Sequence, residues 1–251
     1  MQFLKSVEVK FRQLRNTLMP IIYRGDAVHC PVCEHSFRKF LPAGTGHRRR
    51  DAAVCPYCRA RERDRLTWLF IQSRPELFHC ENMQFLHVAP EPRLSRFFQG
   101  VVGDGYITAD LMRKDVMVKL DVMDMQYPDD SFDAIYCSHV FQDVPDDKKA
   151  IAECFRTLRP GGWGVLNVPI HTERTEDNQV PDNIRADWDQ RPDEHVRSYG
   201  ADYEQRLREA GFEVKALTPE DLASNSEERA RLGISGTRVG WVHFVRKPQG
   251  S

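Results

Sequence analysis

The chain has 251 residues, of which 41% are hydrophobic and 29% are charged, and its formal net charge is −1 at pH 7. This composition predicts a folded chain and excludes a disordered one, and the near-neutral charge argues against wholesale nucleic-acid binding. The apolar runs are too short to span a bilayer, and the first residues lack the apolar centre of a signal peptide. We therefore expect a cytoplasmic protein without a transmembrane segment.

Residues 1–26 predict an amphipathic helix at the N-terminus. Its apolar side chains recur at helical spacing: Phe3, Val7, Phe11, Leu14 and Leu18. We expect this helix to end before Pro20. It could pack on the main domain, on a second subunit or on a membrane surface, and the first two outcomes are the commoner ones. The sequence leaves the oligomeric state open between a monomer and a homodimer.

Residues 27–80 contain two C-x-x-C pairs, which supply Cys30, Cys33, Cys55 and Cys58. Each pair places two thiolates on one tight turn, and two such turns complete a tetrahedral shell with no open position. We therefore predict a structural zinc ribbon followed by a connecting helix, in which the metal stabilises a segment too small to form its own core. Two disulfides or an iron–sulfur cluster are the alternatives, and a reducing compartment disfavours the disulfides.

The zinc-ribbon segment is also rich in basic residues. They are Arg38, Lys39, Arg48, Arg49, Arg50, Arg59, Arg61, Arg63 and Arg65. They could form a patch for RNA, or a solvated face with Glu62 and Asp64 interleaved as ion pairs. The near-neutral charge of the whole chain favours the second interpretation. One or two of these arginines could also bind an anionic group of a substrate.

Residues 81–251 alternate between apolar runs and helical patterns. The runs are Phe85–Val88, Tyr106–Thr108, Val116–Leu120, Phe132–Cys137, Trp163–Val168, Phe212–Leu217 and Val239–Val245. Pro160-Gly161-Gly162 and Gly211 are expected to end two of the helices, and Thr218-Pro219 to begin another. The alternation predicts an α/β fold with a mostly parallel, Rossmann-like sheet covered by helices on both faces. Ligands of such sheets bind at the carboxyl ends of the strands.

Two motifs at these strand ends carry a resemblance to a known family. The run Asp121 to Asp133 reads DVMDMQYPDDSFD, close to the pattern D-A-x-x-L-P-F-x-D-x-S-F-D, and Leu158 to Gly162 reads LRPGG, close to L-K-P-G-G. With these motifs the chain resembles the class I S-adenosylmethionine-dependent methyltransferases over about two thirds of its length. The whole chain also looks like a bacterial subgroup with an N-terminal zinc ribbon of four cysteines.

The resemblance implies S-adenosylmethionine as the cofactor and a set of contacts at the strand ends. The implied contact residues are Asp110, Leu111, Asp121, Val122, Ser138 and His139. In this family pattern Asp110 would bind the ribose hydroxyls, and Asp121 would accept from the adenine amino group with Val122 beside the ring. Ser138 and His139 would lie near the methionine end.

The first turn departs from the family pattern. Where that pattern reads acidic-x-Gly-x-Gly-x-Gly, this chain has His87, Ala89, Glu91 and Arg93. A dinucleotide needs glycines because backbone amides must reach a pyrophosphate, and S-adenosylmethionine has no phosphate. Ala89 permits close approach, Glu91 could bind the ammonium of the cofactor, and Arg93 could bind its carboxylate. Alternatively, Glu91 only caps the following helix and Arg93 is solvated.

The loops after the fourth and fifth strands should line the acceptor site. A long polar stretch follows the fifth strand, and loops of this length inside a compact domain are usually functional. His195 is the first candidate for a general base, with His139 and His171 as competitors. Arg197 and Tyr199 are candidates for substrate binding, with Arg197 contacting an anionic group.

The stretch SHVFQDVPDD after the fourth strand resembles the small-molecule and glycan-directed branch and lacks the Asn-Pro-Pro-Tyr signature of many nucleic-acid and protein amino-methyltransferases. The sequence therefore predicts methyl transfer to an O or N atom of a small-molecule or saccharide-like acceptor. One alternative is an RNA methyltransferase that binds RNA through its zinc ribbon. Another is a non-catalytic binding scaffold, which the glycine-free turn favours and which Asp110 and Asp121 argue against.

Overall fold

The computed structural model describes residues 17–44, 49–178, 195–236 and 239–250. Most of the predicted N-terminal helix lies outside these residues. Residues 17–22 are helical, and the N–H of Tyr23 donates to the carbonyl of Met19 at 3.0 Å. The helix therefore continues past Pro20, and the prediction that it ends before this residue is wrong.

Strands and helices alternate along most of the described chain. The strands are β1 Arg24–Cys30, β2 His35–Phe37, β3 Leu41–Ala43, β4 Arg50–Val54, β5 Phe85–Val88, β6 Tyr106–Asp110, β7 Val118–Lys119, β8 Phe132–Ser138, β9 Leu158–Asn167, β10 Ile170–Thr172, β11 Glu176–Asp177, β12 Arg197–Gly200, β13 Glu213–Leu217 and β14 Val242–Arg246. Besides the helical residues 17–22, the α-helices are α1 Glu62–Gln72, α2 Pro92–Val102, α3 Asp147–Thr157, α4 Tyr203–Glu209, α5 Pro219–Leu222 and α6 Ser226–Leu232. Within the described ranges, none of the helices combines the length and apolarity that a membrane crossing requires.

The chain divides into two compact units. The first comprises Met1–Ser73 and Pro219–Val239, and the second comprises Arg74–Thr218 and Gly240–Ser251. The sequence-based boundaries placed Pro219–Val239 in the methyltransferase domain, whereas these residues complete the first unit. A segment that is distant along the chain thus supplies α5 and α6 to the cysteine-rich unit.

Two antiparallel hairpins, β1–β2 and β3–β4, carry the cysteines of the first unit. One buried cluster of this unit is formed by Cys30, Phe37, Phe40, Cys55, Cys58 and Ala60, and a second by Leu41, Ala53 and Val54. Because cysteines make up half of the first cluster, we expect a metal bound to them to stabilise the unit.

Arg65, on α1, is fully buried and connects the elements of the first unit. Its guanidinium lies over the ring of Phe40 and donates at 2.7–3.3 Å to the carbonyls of Ala52, Ala53, Ala60, Leu232 and Gly233. The last two carbonyls lie at the C-terminal end of α6, where the helix dipole favours a cation. Arg65 therefore holds the unit together and is not part of a basic surface.

A seven-stranded sheet forms the second unit, in the order β13-β14-β9-β8-β5-β6-β7. The five strands from β9 to β7 run parallel, and β14 is antiparallel to both of its neighbours. All four residues of β5 are buried, as expected for a central strand covered on both faces. The predicted fold class, a mostly parallel Rossmann-like sheet with helices, is confirmed.

A second, smaller sheet occupies part of the predicted long loop after β9. In it, β10 pairs in parallel with β12, and β11 pairs with β12 in antiparallel orientation. Residues 179–194 of the same stretch lie outside the described residues. Three short segments of the stretch are therefore strands rather than irregular loop.

His243, in β14, should make the second unit sensitive to acid. It is fully buried, and neither ring nitrogen has a hydrogen-bond partner among the described residues, so burial lowers its pKa from 6.5 to about 3. The unfolded chain therefore binds a proton between these pH values that the folded chain does not, and stability falls as the pH falls through this window.

We expect His243→Leu to reduce the loss of unfolding free energy between about pH 7 and pH 4, measured by urea denaturation at each pH. His79→Leu, at an exposed histidine of the same unit, serves as the control and should keep the wild-type pH dependence. An unchanged pH dependence in His243→Leu would contradict the interpretation.

Candidate active site

Parallel strands bring the predicted cofactor residues to one edge of the large sheet. Asp110 is the last residue of β6, Ser138 is the last residue of β8, and His139 follows directly. The N–H of His139 donates to the carbonyl of Asn167, the last residue of β9, at 2.8 Å. Asp121 follows β7 by two residues. The carboxyl edge of the sheet therefore gathers two carboxylates and a histidine, as the motifs predicted.

One oxygen of the Asp110 carboxylate accepts hydrogen bonds from the backbone, and the other is left for a ligand. Oδ1 accepts from the backbone N–H groups of Met112 and Arg113 at 2.8 and 2.9 Å. These bonds fix the carboxylate, and Oδ2 accepts no hydrogen bond from the described residues. Leu111, beside it, is 46% exposed. A fixed acceptor with an unused oxygen is what a ribose hydroxyl requires.

Arg156 stabilises the loop that carries the predicted adenine contacts. Its guanidinium donates to the carboxylate of Asp129 at 2.8 Å and to the carbonyls of Met125 and Tyr127 at 3.0 and 2.8 Å. Asp121 Oδ1 accepts from the N–H of Met123 at 2.9 Å. Val122, between these two residues, is buried. The loop is thus held by side chains that the motif itself contributes, together with one arginine from α3.

The first turn after β5 contains an unusual backbone conformation. Ala89 has a φ of 50°, in the left-handed region that favours glycine, and it occupies the first glycine position of the family pattern. Its N–H donates to the carbonyl of Ala109 at 2.8 Å. A residue with a Cβ costs roughly 1–2 kcal/mol in this conformation. The turn therefore keeps the backbone path of a glycine turn without the glycine. Arg93 lies in the first turn of α2 and is half-buried.

His195 is paired with a carboxylate that the sequence analysis did not assign. Its Nδ1 lies 2.7 Å from Oδ1 of Asp143, and both side chains are about one-third exposed. Gln142 donates to the other oxygen of Asp143 at 2.8 Å and to the carbonyl of His139 at 2.6 Å. Asp143 ends the short 3-10 helix directly after β8, at the same edge of the sheet as Ser138. The carboxylate thus orients the imidazole, and Nε2 has no hydrogen-bond partner among the residues that the structure describes.

The other predicted acceptor-site residues are less well placed. Arg197 is buried and donates to Asp177 at 2.6 Å, with Asp147 at 3.3 Å. Tyr199 is fully buried, and its hydroxyl donates to Asp147 at 2.7 Å. These contacts argue against the predicted substrate-binding roles, because both side chains are engaged inside the protein. His171 lies in β10, and its side chain is outside the described set.

The four cysteines of the first unit converge on one point. Their Sγ atoms lie within 4.8 Å of one another, with 3.6 Å between Cys30 and Cys58 and 3.7 Å between Cys33 and Cys55. Four sulfurs bound to zinc at about 2.3 Å form a tetrahedron with edges of roughly 3.8 Å. A disulfide requires about 2.05 Å, so the two-disulfide alternative does not fit. The donor set fits zinc in geometry and in chemistry.

The two C-x-x-C turns are near copies of each other. The residue after each second cysteine, Glu34 or Arg59, has a positive φ of 57° or 67°. Its N–H donates to the carbonyl of the first cysteine of its pair, Cys30 at 2.8 Å or Cys55 at 3.2 Å. Such paired turns present two sulfurs each toward a common centre, as a tetrahedral site requires.

Three of the basic residues that the sequence analysis named form ion pairs with acids. The ion pairs are Arg49 with Asp51 at 2.9 Å, Arg50 with Glu62 at 3.4 Å and Arg63 with Asp64 at 3.6 Å. Arg48 lies outside the described residues. The pairs support the solvated, ion-paired face rather than a patch reserved for RNA.

The strand order and the carboxylates at the strand ends agree with the resemblance to class I S-adenosylmethionine-dependent methyltransferases that the sequence motifs carry. In agreement, a family profile described as a methyltransferase domain matches residues 105–166. The resemblance found in the sequence is therefore confirmed. The residues that the profile matches include Asp110, Asp121 and the Pro-Gly-Gly turn.

Curated relatives match parts of the chain. A sterol 24-C-methyltransferase of Gibberella zeae is 33% identical over 111 residues, which cover 44% of this chain and 29% of the relative. A 27-O-demethylrifamycin SV methyltransferase of Amycolatopsis mediterranei is 31% identical over 57% of this chain and 47% of the relative. The chain thus spans less than half of either relative. A solved S-adenosylmethionine-dependent methyltransferase from Mesorhizobium loti is 15% identical, with a TM-score of 0.49 over 71% of this chain and all of that one.

Replacing Asp110 by alanine should weaken binding of S-adenosylhomocysteine by roughly tenfold to a hundredfold, because a charged acceptor is lost. Calorimetric titration measures the effect, and Asp115→Ala, at an exposed aspartate paired with Arg113, serves as the control. Equal affinities of Asp110→Ala and wild type would exclude the ribose contact.

Proposed function

We propose that the protein is an S-adenosylmethionine-dependent methyltransferase that methylates a hydroxyl group of a small-molecule or saccharide-like acceptor. The observation that carries the proposal is the His195–Asp143 pair at the carboxyl edge of the sheet. A hydroxyl arrives protonated and must lose its proton during methyl transfer, and a histidine held by a carboxylate serves that purpose. Of the predicted O and N acceptors, the pair therefore favours oxygen.

When bound, the cofactor supplies an electrophilic methyl group on a sulfonium. Asp110 would hold the ribose, Asp121 and Val122 the adenine, and Glu91 the ammonium. His195 Nε2 would take the proton that the acceptor hydroxyl must lose, and the bond between the methyl group and sulfur would break as the sulfonium becomes the thioether of S-adenosylhomocysteine. Asp143 accepts from Nδ1–H, so it selects the tautomer with a free Nε2 and stabilises the imidazolium that forms. His139 is a second polar group at this edge.

A small acceptor agrees with the names of the relatives, which include a sterol and a rifamycin methyltransferase. The ion-paired arginines of the first unit argue against the RNA alternative. We assign the four cysteines to a structural zinc ion, since four thiolates leave no open position for chemistry. A cytoplasmic location remains part of the proposal, because free thiolates persist in a reducing compartment.

The test supplies S-adenosylmethionine with a labelled methyl group and a panel of hydroxylated small molecules, including sterols, phenols and glycosides. We expect label transfer to an oxygen of at least one compound class, identified by mass spectrometry. A matched panel of amines and a structured RNA separate the alternatives. Transfer to RNA alone, or to amines alone, would contradict the proposal.

A further inference from the structure

A hydrogen-bond network of three side chains connects Tyr106 of β6, His87 of β5 and Glu91, the residue before α2. The hydroxyl of Tyr106 lies 2.7 Å from Nδ1 of His87, and Nε2 of His87 lies 3.0 Å from Oε2 of Glu91. The side chain of His87 is fully buried, whereas that of Glu91 is 17% exposed. The Glu91 carboxylate is therefore the end of this network that reaches the surface, and it lies just beyond the carboxyl end of β5.

The chemistry of these groups defines the direction of the hydrogen bonds. An ionised carboxylate only accepts, so Nε2–H of His87 donates to Glu91, and Nδ1 accepts from the hydroxyl of Tyr106. The phenol remains a donor because burial raises the pKa of Tyr106 to about 12, and Ser95 hydrogen-bonds to its oxygen. The network therefore holds one oxygen of Glu91 in place, and Oε1, which accepts no hydrogen bond from the described residues, is left for a ligand.

Glu91 does not act as a helix cap. It is the N-cap residue of α2, yet its side chain makes no capping hydrogen bond. An acidic N-cap residue usually accepts from a backbone N–H of the first helical turn. The carboxylate is turned toward His87 instead, so the interpretation of Glu91 as a mere cap does not hold.

We propose that His87 is a positioning residue, which stands where the family pattern has its acidic residue and directs the carboxylate of Glu91 toward the ammonium of S-adenosylmethionine. The acidic group of the turn has thus moved four positions along the chain, from 87 to 91. Glu91 touches the cofactor, whereas His87 and Tyr106 act through it. The inference rests on the proposed function, since it requires this cofactor.

Two ligands separate the amino-acid end of the cofactor from its adenosine. S-adenosylhomocysteine carries the ammonium, and 5′-methylthioadenosine lacks it. We expect Glu91→Gln and His87→Leu each to weaken S-adenosylhomocysteine binding roughly tenfold to a hundredfold in calorimetry, because a charge-assisted contact is lost or misplaced. Affinity for 5′-methylthioadenosine should stay unchanged in both, which also shows that the variants fold.

Two further variants report on positioning. His87→Gln keeps an N–H that can reach Glu91, so it should retain most of the affinity that His87→Leu loses. In the Glu91→Gln protein, adding His87→Leu should have no further effect, because both changes remove one contact.

The outcomes distinguish the inference from the proposed function. Equal weakening of both ligands in His87→Leu, or additive losses in the double variant, would overturn the positioning role. Normal binding by His87→Leu with weak binding by Glu91→Gln would also overturn it and would leave Glu91 as a cofactor contact. Failure of the unmodified protein to bind either ligand would refute the proposed function itself.

Discussion

Serine in place of Cys55 is expected to release the zinc ion and unfold the first unit. Structural zinc contributes about 10–16 kcal/mol of binding free energy, which in small zinc units is folding free energy. One buried cluster of this unit has six residues, and three of them are cysteines of the metal-binding set: Cys30, Cys55 and Cys58. Half of the buried cluster around the sulfurs is therefore formed by the cysteines that would bind the metal.

Cys80→Ser is the matched control for this prediction. Cys80 is exposed and lies outside the cluster, and its thiol contacts only the carbonyl of Glu81 among the described residues. Metal content by mass spectrometry, for zinc and for iron, is measured together with thermal unfolding. Loss of metal and of one unfolding transition in Cys55→Ser alone supports the zinc site. Full metal content in Cys55→Ser, or iron in the unmodified protein, would contradict it.

His195→Gln is expected to lower the turnover number roughly a hundredfold to ten-thousandfold, which is the usual contribution of a general base. Its affinity for S-adenosylhomocysteine should not change, because His195 is assigned to the acceptor and not to the cofactor. The assay uses the acceptor class that the labelled-methyl panel identifies. A turnover number within twofold of wild type would exclude His195 as the base.

Asp143→Asn tests the positioning of His195. The amide can donate to Nδ1 and so hold the opposite tautomer of the ring, and we therefore expect a lower rate and a change in the pH–rate profile rather than a uniform loss at every pH. His79→Gln, at an exposed histidine, is the control and should keep both the rate and the profile. A profile identical to wild type in Asp143→Asn would contradict the pairing seen at 2.7 Å.

Short motifs carry the prediction of the cofactor side of the site. Asp110 and Asp121 stand at fixed places relative to strand ends, and the C-x-x-C spacing alone determines which sulfurs share a turn. The sheet follows from apolar runs that alternate with helical patterns. Each of these signals is local, so the sequence shows it without knowledge of tertiary contacts.

Long-range contacts account for what the sequence did not show. Asp143 is 52 residues from His195 in the chain, and no local pattern links them. Arg197 and Tyr199 come from a polar stretch that suggested a surface, yet both are buried against Asp147. Their polarity is satisfied inside the protein, and a sequence gives no direct sign of that.

The interpretation of the Glu91 carboxylate depends both on a local sequence motif and on contacts that only the structure shows. The sequence shows His87 and Glu91 in place of an acidic residue and a glycine, and it leaves open whether Glu91 binds a ligand or caps α2. The hydrogen bond of 3.0 Å between them and the missing cap bond favour ligand binding. Tyr106 lies on the neighbouring strand β6, and only the pairing of β5 with β6 in the structure places it beside His87.

Calorimetric titration of the unmodified protein with S-adenosylhomocysteine tests the central claim most directly. The account predicts saturable binding with a dissociation constant on the order of micromolar, equivalent to about 8 kcal/mol. Absence of binding at millimolar ligand would contradict the assignment of the carboxyl edge of this sheet to S-adenosylmethionine.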